Sequence, residues 1–230
     1  MKNLSLIFIT FFTLCVVFST GMNSKQEFKL QREEKLIFIK DTIQKVDTIT
    51  DVNGKMALFI GDSHTANHHW GWQIVLCDKT GLKMNNTAVG GKTTSWMVGV
   101  AKTSVTENFD YCFICGGAND MFGSVKATKA VSNIQQIVNM CNEKGVHAVV
   151  ITGFNAKTCC ITPDNPGYPS RYSQFQQMLV DSIKGAKVVD ARSNVIRKDC
   201  GDAICHMNHS GHIKIAESVI SQMKFKTKIK

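Results

Sequence analysis

After residue 54, short apolar runs alternate with longer stretches whose apolar residues recur at helical spacing. The short runs are bounded by glycine or polar residues. Runs of this kind are typical of strands that are buried on both faces of a parallel sheet. The five predicted strands are Met56–Ile60, Leu82–Val89, Tyr111–Cys115, Ala148–Thr152 and Lys187–Asp190.

The stretches between and after these runs predict helices. In one of them Val131, Ile134, Ile137, Val138 and Cys141 recur at helical spacing and form one apolar face. Because strands and helices alternate, we expect an α/β fold in which a five-stranded parallel sheet is covered on both sides. The predicted helices are about Ala66–Cys77, Ser95–Thr103, Val125–Lys144, Arg171–Lys184 and Ser210–Phe225.

The beginning of the chain does not follow this rhythm. Lys2 precedes an apolar run from Leu4 to Phe18 and then three small residues, a pattern typical of a secretory signal peptide. The run is short for a membrane-spanning helix, which needs about 20 apolar residues, although it could serve as an uncleaved anchor. We therefore expect export to the periplasm, the extracellular space or the outer face of a membrane. The predicted parts are a signal peptide or anchor at 1–21, a charged spacer at 22–54, one domain at 55–226 and a basic tail at 227–230.

Composition supports an exported protein with one core. The chain has 230 residues, 43% of them apolar, and nine cysteines, eight of which remain after the signal peptide. The net charge of +9 favours binding to anionic surfaces. The sequence has neither a recognisable nucleic-acid-binding module nor aromatic residues interleaved with the basic ones. We therefore expect no nucleic-acid partner.

Three short segments carry candidate chemistry, and each follows a predicted strand. They are Gly61-Asp62-Ser63-His64, Asn86-Thr87-Ala88-Val89-Gly90-Gly91 and Gly116-Gly117-Ala118-Asn119-Asp120. In open parallel sheets, ligands bind at the carboxyl ends of the strands, near the point where strand order reverses. Each segment by itself is an ordinary helix cap, turn or loop. Together they provide a serine nucleophile and donors for an oxyanion.

A fourth segment, Asp202 to Asn208, contains a late acid and a late base. His206 is the candidate base for Ser63, and Asp202 is the nearest carboxylate that could orient its ring. Taken alone, His206 would be a polar contact before the last helix. With the three earlier segments it completes the parts of a serine esterase.

These four segments resemble the sequence blocks of the SGNH hydrolases, a subgroup of the GDSL esterase/lipase superfamily, over roughly residues 55–224. The resemblance implies a flavodoxin-like three-layer α/β/α sandwich. It implies Ser63 as nucleophile and His206 as base. It also implies an oxyanion hole formed by the N–H groups of Ser63 and Gly91 and the side chain of Asn119.

The acid departs from the family pattern. The family places it three residues before the histidine, where this chain has Ala203, whereas Asp202 lies four before. Asp199 could substitute for it, or a backbone carbonyl could orient the ring. We expect a Cys200–Cys205 disulfide that closes the loop and holds Asp202 near His206.

Other cysteine states remain open. In one alternative, Cys205 is a free thiol and Cys159 and Cys160 take the partners. Cys112 and Cys115 lie in a predicted central strand, where buried free thiols are at least as plausible as a disulfide.

The remaining motifs are weaker. Gly90-Gly91-Lys92-Thr93 imitates a phosphate-binding loop, but Asn86 stands where that motif needs a glycine. The histidines lack zinc-finger or metalloprotease spacing, so we expect no metal and no cofactor.

Aromatic and histidine side chains near the nucleophile suggest a substrate surface. His64 is a candidate for lining the acyl pocket or binding a sugar hydroxyl. Trp70, with His68, His69 and Trp72, is a candidate aromatic rim for a carbohydrate. In the alternative, both tryptophans pack a helix against the sheet.

The predicted function is hydrolysis of short-chain esters, most plausibly O-acetyl esters on carbohydrate, through an acyl-enzyme. No long apolar insert that could act as a lid over fatty chains lies between Asn119 and His206. Two alternatives stay open: an SGNH O-acetyltransferase acting on polysaccharide or peptidoglycan, and a carbohydrate-binding module that has lost turnover. The expected partner is an acylated carbohydrate or another small ester, with possible membrane attachment through residues 1–21.

Overall fold

The fold is described from a computed structural model, which covers residues 49–67, 69–160, 163–201 and 206–228. The predicted signal peptide or anchor and most of the predicted spacer lie outside the described residues. Among the described residues, no helix combines the length and the apolar character that crossing a membrane requires.

The sheet has five strands, all parallel, in the order β2-β1-β3-β4-β5. The central residues of β1, β3 and β4 are buried because helices cover both faces of the sheet, whereas β2 and β5 lie at its edges and are more exposed. The five-stranded parallel α/β fold predicted from the sequence and the three-layer sandwich implied by the resemblance are confirmed. In this order the ligand crevice lies where β1 and β3 end side by side. The strands are β1 (Met56–Gly61), β2 (Lys83–Asn86), β3 (Tyr111–Cys115), β4 (His147–Ile151) and β5 (Lys187–Val189).

Seven α-helices and one 3-10 turn accompany the sheet within the described ranges. Helix α1 packs against α7, while α2 packs against α4 and α4 against α6, which gives the two helical layers. The helices are α1 (Trp72–Thr80), α2 (Thr94–Ser104), α3 (Ala118–Phe122), α4 (Ala127–Glu143), α5 (Ala156–Cys159), α6 (Tyr168–Ser182) and α7 (His209–Met223), and the turn spans Arg197–Asp199.

Several predicted boundaries were wrong, and two of them affect the segments near the site. The first helix begins at Trp72 and not at Ala66, because the Asn67 side chain accepts hydrogen bonds from the backbone of His69 and Trp70 and holds that segment in a turn. The second strand ends at Asn86 and not at Val89. The nucleophile therefore lies on a turn rather than at the start of a regular helix.

The layer formed by α1 and α7 contains a buried histidine. The Nδ1 atom of His212 accepts the backbone N–H of Trp72 at 3.1 Å, so a side chain of α7 satisfies the first turn of α1. His212 is 4% exposed. Burial, together with the nearby His209 and His206, lowers the pKa of His212 to about 4.

His212 should make the fold sensitive to mild acid. In the folded protein it stays neutral down to about pH 4, whereas in the unfolded chain it takes a proton near its ordinary pKa of 6.5. Its contribution to stability is therefore complete above pH 6.5 and is lost as pH falls toward 4. We expect the free energy of unfolding to fall between pH 7 and 4.5 by about 2 to 3 kcal/mol more in the wild type than in His212→Asn, whose side-chain oxygen can still accept the Trp72 N–H. Urea unfolding at both pH values measures this, and equal losses would refute it.

Candidate active site

Ser63 lies on a tight turn directly after β1. The backbone carbonyl of Asp62 accepts the N–H groups of Thr65 at 3.0 Å and Ala66 at 2.9 Å, which closes the turn. The turn is fixed to the neighbouring strands, because Thr65 Oγ1 donates to the carbonyl of Cys115 and Asn86 Nδ2 donates to the carbonyl of Thr65. Ser63 itself is half-buried, so its hydroxyl is held at the carboxyl edge of the sheet within reach of solvent.

The side chain of Asp62 is fully buried and joins this turn to the segment after β3. Its Oδ1 accepts the N–H of His64 at 3.1 Å, and its Oδ2 accepts the N–H of Ala118 at 3.3 Å. Burial raises the pKa of Asp62 to about 6, although the two N–H donors act in the opposite direction. The carboxyl group therefore keeps the Ser63 turn and the Asn119 segment in register.

The glycine pair after β2 lies beside the nucleophile. A Cβ atom placed on Gly90 would come within 3.7 Å of the Ser63 Cβ. Gly91 has a φ of +74°, in the left-handed region that side chains with a Cβ rarely adopt. A backbone N–H at Gly91 is thus presented in a turn that a larger residue would strain.

The third segment meets the second through Asn119. Asn119 lies in α3, and its Nδ2 donates to the carbonyl of Lys92 at 3.1 Å, one residue after Gly91. An amide nitrogen carries two hydrogens, and this bond uses one. The geometry thus brings the Gly91 turn and the Asn119 amide together, as an oxyanion hole requires.

His206 reaches the nucleophile directly. Its Nε2 atom lies 3.0 Å from Ser63 Oγ, across 143 residues of sequence. A short antiparallel contact holds it there: the Gly201 N–H donates to the carbonyl of His206 at 2.7 Å, and Cys200 pairs with Met207. Next to it, the Asn208 side chain caps α7 by accepting the N–H of Gly211.

The two candidate acids behave differently. Asp202 lies outside the described residues. Asp199 is fully buried and is engaged elsewhere: its carboxylate accepts hydrogen bonds from Lys214 Nζ, Ser210 Oγ and the Ile196 N–H. Burial raises its pKa, but these three donors outweigh burial and hold the pKa below its ordinary value. Asp199 therefore stabilises the loop and the start of α7.

The expected Cys200–Cys205 disulfide is wrong. Cys200 is bonded to Cys159, with a Cα–Cα distance of 5.7 Å and a sequence separation of 41. Helix α5 packs against the 3-10 turn, which brings a distant cysteine to Cys200. This cross-link ties Cys200, which pairs with Met207 next to the base, to the segment after β4. Cys160 is disulfide-bonded as well, so Cys159 and Cys160 both have partners, as the alternative had it. Cys205, the free thiol of that alternative, lies outside the described residues. Cys112 and Cys115 are buried free thiols, as one of the alternatives had it.

The proposed substrate-facing side chains separate into buried and exposed ones. His64 is only 4% exposed, with its ring 4.9 Å from that of Phe154 and 5.3 Å from that of His206. Trp72 is fully buried and packs on Phe59, so it is not part of a rim. Trp70 is 39% exposed.

The sequence of this domain matches a known protein family. The model of the GDSL-like lipase/acylhydrolase family matches residues 59–212, a span that contains Ser63, Gly91, Asn119 and His206. The chain belongs to this family. It is therefore an ester-bond hydrolase of the SGNH type.

Solved structures agree with the family fold. A member of the lipolytic G-D-S-L protein family from Veillonella parvula aligns with a TM-score of 0.60 and 16% identity, covering 73% of this chain and 97% of that chain. An acetylxylan esterase from Geobacillus stearothermophilus aligns with a TM-score of 0.59 and 15% identity, covering 76% of this chain and 96% of that chain. Three catalytic mutants of that esterase replace a serine, an aspartate and a histidine, and the aspartate precedes the histidine by three positions. No curated protein sequence matches this chain.

Several side chains that shape this GDSL-family site were not predicted from the sequence. Asp62, Thr94, Asp120 and Asn133 are all buried and bonded to one another or to the site's backbone. The signal available in the sequence was weak: Asp62 and Asp120 adjoin the candidate residues Ser63 and Asn119. No group of three metal-ligating side chains occurs within the described part of the chain.

Proposed function

We propose that this GDSL-family hydrolase is an exported serine esterase that removes short acyl groups, chiefly O-acetyl groups, from carbohydrate. The observation that carries the mechanism is the 3.0 Å contact between His206 Nε2 and Ser63 Oγ. His206 takes the proton of Ser63 as the hydroxyl attacks the ester carbonyl, and it then returns that proton to the departing alcohol. Water, activated by the same histidine, attacks the acyl-enzyme and releases the acid.

The oxyanion of each tetrahedral intermediate is stabilised by three donors. These are the N–H groups of Ser63 and Gly91 and the side-chain amide of Asn119. Two observations support this assignment: the Gly91 turn lies beside Ser63, and Asn119 is bonded to the next residue of that turn.

We assign the acid to Asp202. The other nearby carboxylate, Asp199, is already bonded to Lys214, Ser210 and Ile196. The Gly201 N–H donates to the carbonyl of His206, and Asp202 is the residue that follows Gly201 in the sequence. The four-residue spacing differs from the three-residue spacing in the Geobacillus esterase, and one extra loop residue accounts for it.

A carbohydrate substrate is supported by Trp70. Its exposed ring meets the rings of His209 at 5.8 Å and His212 at 5.1 Å, both edge-on, so its orientation is set by the helix that follows His206. An exposed aromatic ring held in this way by the helix that follows the base suits stacking on a sugar ring. We propose Trp70 as the sugar-binding residue and His64, packed between Phe154 and His206, as part of the acyl side of the site.

The test is acetate release from acetylated glycans by the exported protein. We expect acetate from acetylated xylan or a similar glycan with no added acceptor, none from Ser63→Ala, and higher kcat/KM for p-nitrophenyl acetate than for the octanoate. Acetyl transfer that requires an acceptor glycan would indicate a transferase instead. Glycan binding without acetate would indicate a binding module. Recovery of the expressed protein only from the cytoplasm would contradict export, which the N-terminal pattern and the disulfide support.

A further inference from the structure

A buried hydrogen-bond network joins three helices next to the site. The carboxylate of Asp120 accepts the backbone N–H of Thr94 at 2.8 Å and its hydroxyl at 2.7 Å. Asn133 Nδ2 donates to the same hydroxyl at 2.9 Å. Thr94 is 0% exposed, Asp120 1% and Asn133 4%. Water therefore cannot replace these bonds.

The network fixes the start of α2. Thr94 is the first residue of that helix, and no side chain of the preceding turn caps it. The carboxylate of Asp120, from α3, takes the place of a cap and accepts an N–H that would otherwise be unsatisfied. A satisfied buried polar group resists displacement, because breaking its bonds leaves a donor or acceptor without water. The position of α2 relative to α3 is therefore strongly specified.

The segments that contain Thr94 and Asp120 also carry two of the three proposed oxyanion donors, Gly91 and Asn119. Thr94 follows Gly91 by three residues, and Asp120 follows Asn119 directly. The Asn119 amide also donates to Lys92. The segment that carries the Gly91 turn and the segment that carries Asn119 are thus connected at two points.

We propose that Thr94 is a positioning residue that sets the distance between the Gly91 N–H and the Asn119 amide through its hydroxyl, which bridges Asp120 and Asn133. The proposal rests on the proposed function, in which those two groups stabilise the oxyanion. Thr94 touches neither substrate nor nucleophile in this role. It acts on the transition state only, because the oxyanion is absent from the bound ester.

The direct variant is Thr94→Val, which removes the hydroxyl and keeps the shape and the backbone N–H. We expect kcat for p-nitrophenyl acetate to fall by about 10- to 100-fold, the size expected when catalytic groups are misplaced by a fraction of an ångström to one ångström. KM should stay within about twofold of the wild-type value because only the transition state is affected. Thr94→Ser keeps the hydroxyl and should retain most of the activity.

Thr80→Val is the matched control. Thr80 is also a buried threonine, 1% exposed, and its hydroxyl donates to the carbonyl of Leu76 at 2.7 Å. It ends α1 shortly before β2 begins, at the edge of the sheet opposite to the candidate site. This variant therefore carries the same chemical change at a buried site away from the oxyanion donors, and its kcat should be unchanged. An equal fall of kcat in both threonine variants would mean a general structural effect and would overturn the proposal.

A double-variant comparison separates positioning from stability. Asn119→Ala should itself lower kcat by about 10²- to 10³-fold. If Thr94 acts through the oxyanion donors, Thr94→Val should cost clearly less in the Asn119→Ala background than in the wild type. The same cost in both backgrounds would refute the proposal.

The remaining outcomes are decisive as well. If Thr94→Val does not fold, Asn133→Ala, which breaks only the outer bond, replaces it: a several-fold loss of kcat supports the proposal, and wild-type kcat overturns it. Ser63→Ala is assayed in parallel. If Ser63→Ala is inactive and Thr94→Val has wild-type kcat, only the positioning role fails, whereas activity in Ser63→Ala would mean that the proposed function itself fails.

Discussion

Ser63→Ala is expected to reduce ester hydrolysis by a factor on the order of 10⁴ to 10⁶, because the acyl-enzyme can no longer form. The hydroxyl lies 3.0 Å from His206 Nε2, and alanine removes the oxygen that His206 would activate. The change is small and the residue is half-buried, so the fold should persist. The measurement is kcat/KM for p-nitrophenyl acetate with purified protein.

The control for this variant is Ser221→Ala. Ser221 is exposed on α7, and substitution there should leave kcat/KM unchanged. Thermal unfolding of both variants should match the wild type. Undiminished turnover in Ser63→Ala would remove Ser63 from the role of nucleophile.

His206→Ala is expected to be nearly as inactive as Ser63→Ala. Without the imidazole the serine keeps its proton and is a weak nucleophile at neutral pH. Because the two side chains act as a unit, the double variant Ser63→Ala/His206→Ala should lose no more activity than either single variant. The check is again turnover of p-nitrophenyl acetate, compared across the three proteins.

His147→Ala is the matched control for the base. His147 is exposed at the start of β4, at the opposite end of the strands from the site. Its removal should not change the rate. If the losses in the Ser63 and His206 variants multiplied in the double variant, the two residues would be acting independently, and the proposed proton transfer between them would be wrong.

The sheet and the location of the site could be predicted from the sequence for a physical reason. Buried parallel strands are short apolar runs, and their carboxyl ends lie at one edge, so motifs that follow such runs must meet. Ser63, Gly90 and Asn119 follow β1, β2 and β3, and the structure brings these segments together.

Features that depend on tertiary contacts could not be predicted in this way. The first helix begins late because the Asn67 side chain competes for backbone N–H groups, a local bond that apolar periodicity does not record. Cys200 pairs with Cys159 because α5 packs against the turn at Arg197–Asp199, whereas sequence proximity favoured Cys205. The Thr94–Asp120–Asn133 network is also long-range, and no spacing rule marks it.

The most direct test of the central claim is to identify the residue that carries the acyl group. The protein is quenched in acid during turnover of p-nitrophenyl acetate, or labelled with a serine-reactive fluorophosphonate, and its peptides are mapped by mass spectrometry. We predict a single adduct on Ser63, absent from Ser63→Ala and formed far more slowly by His206→Ala. An adduct on another residue, or continued ester hydrolysis with Ser63 never modified, would contradict the account.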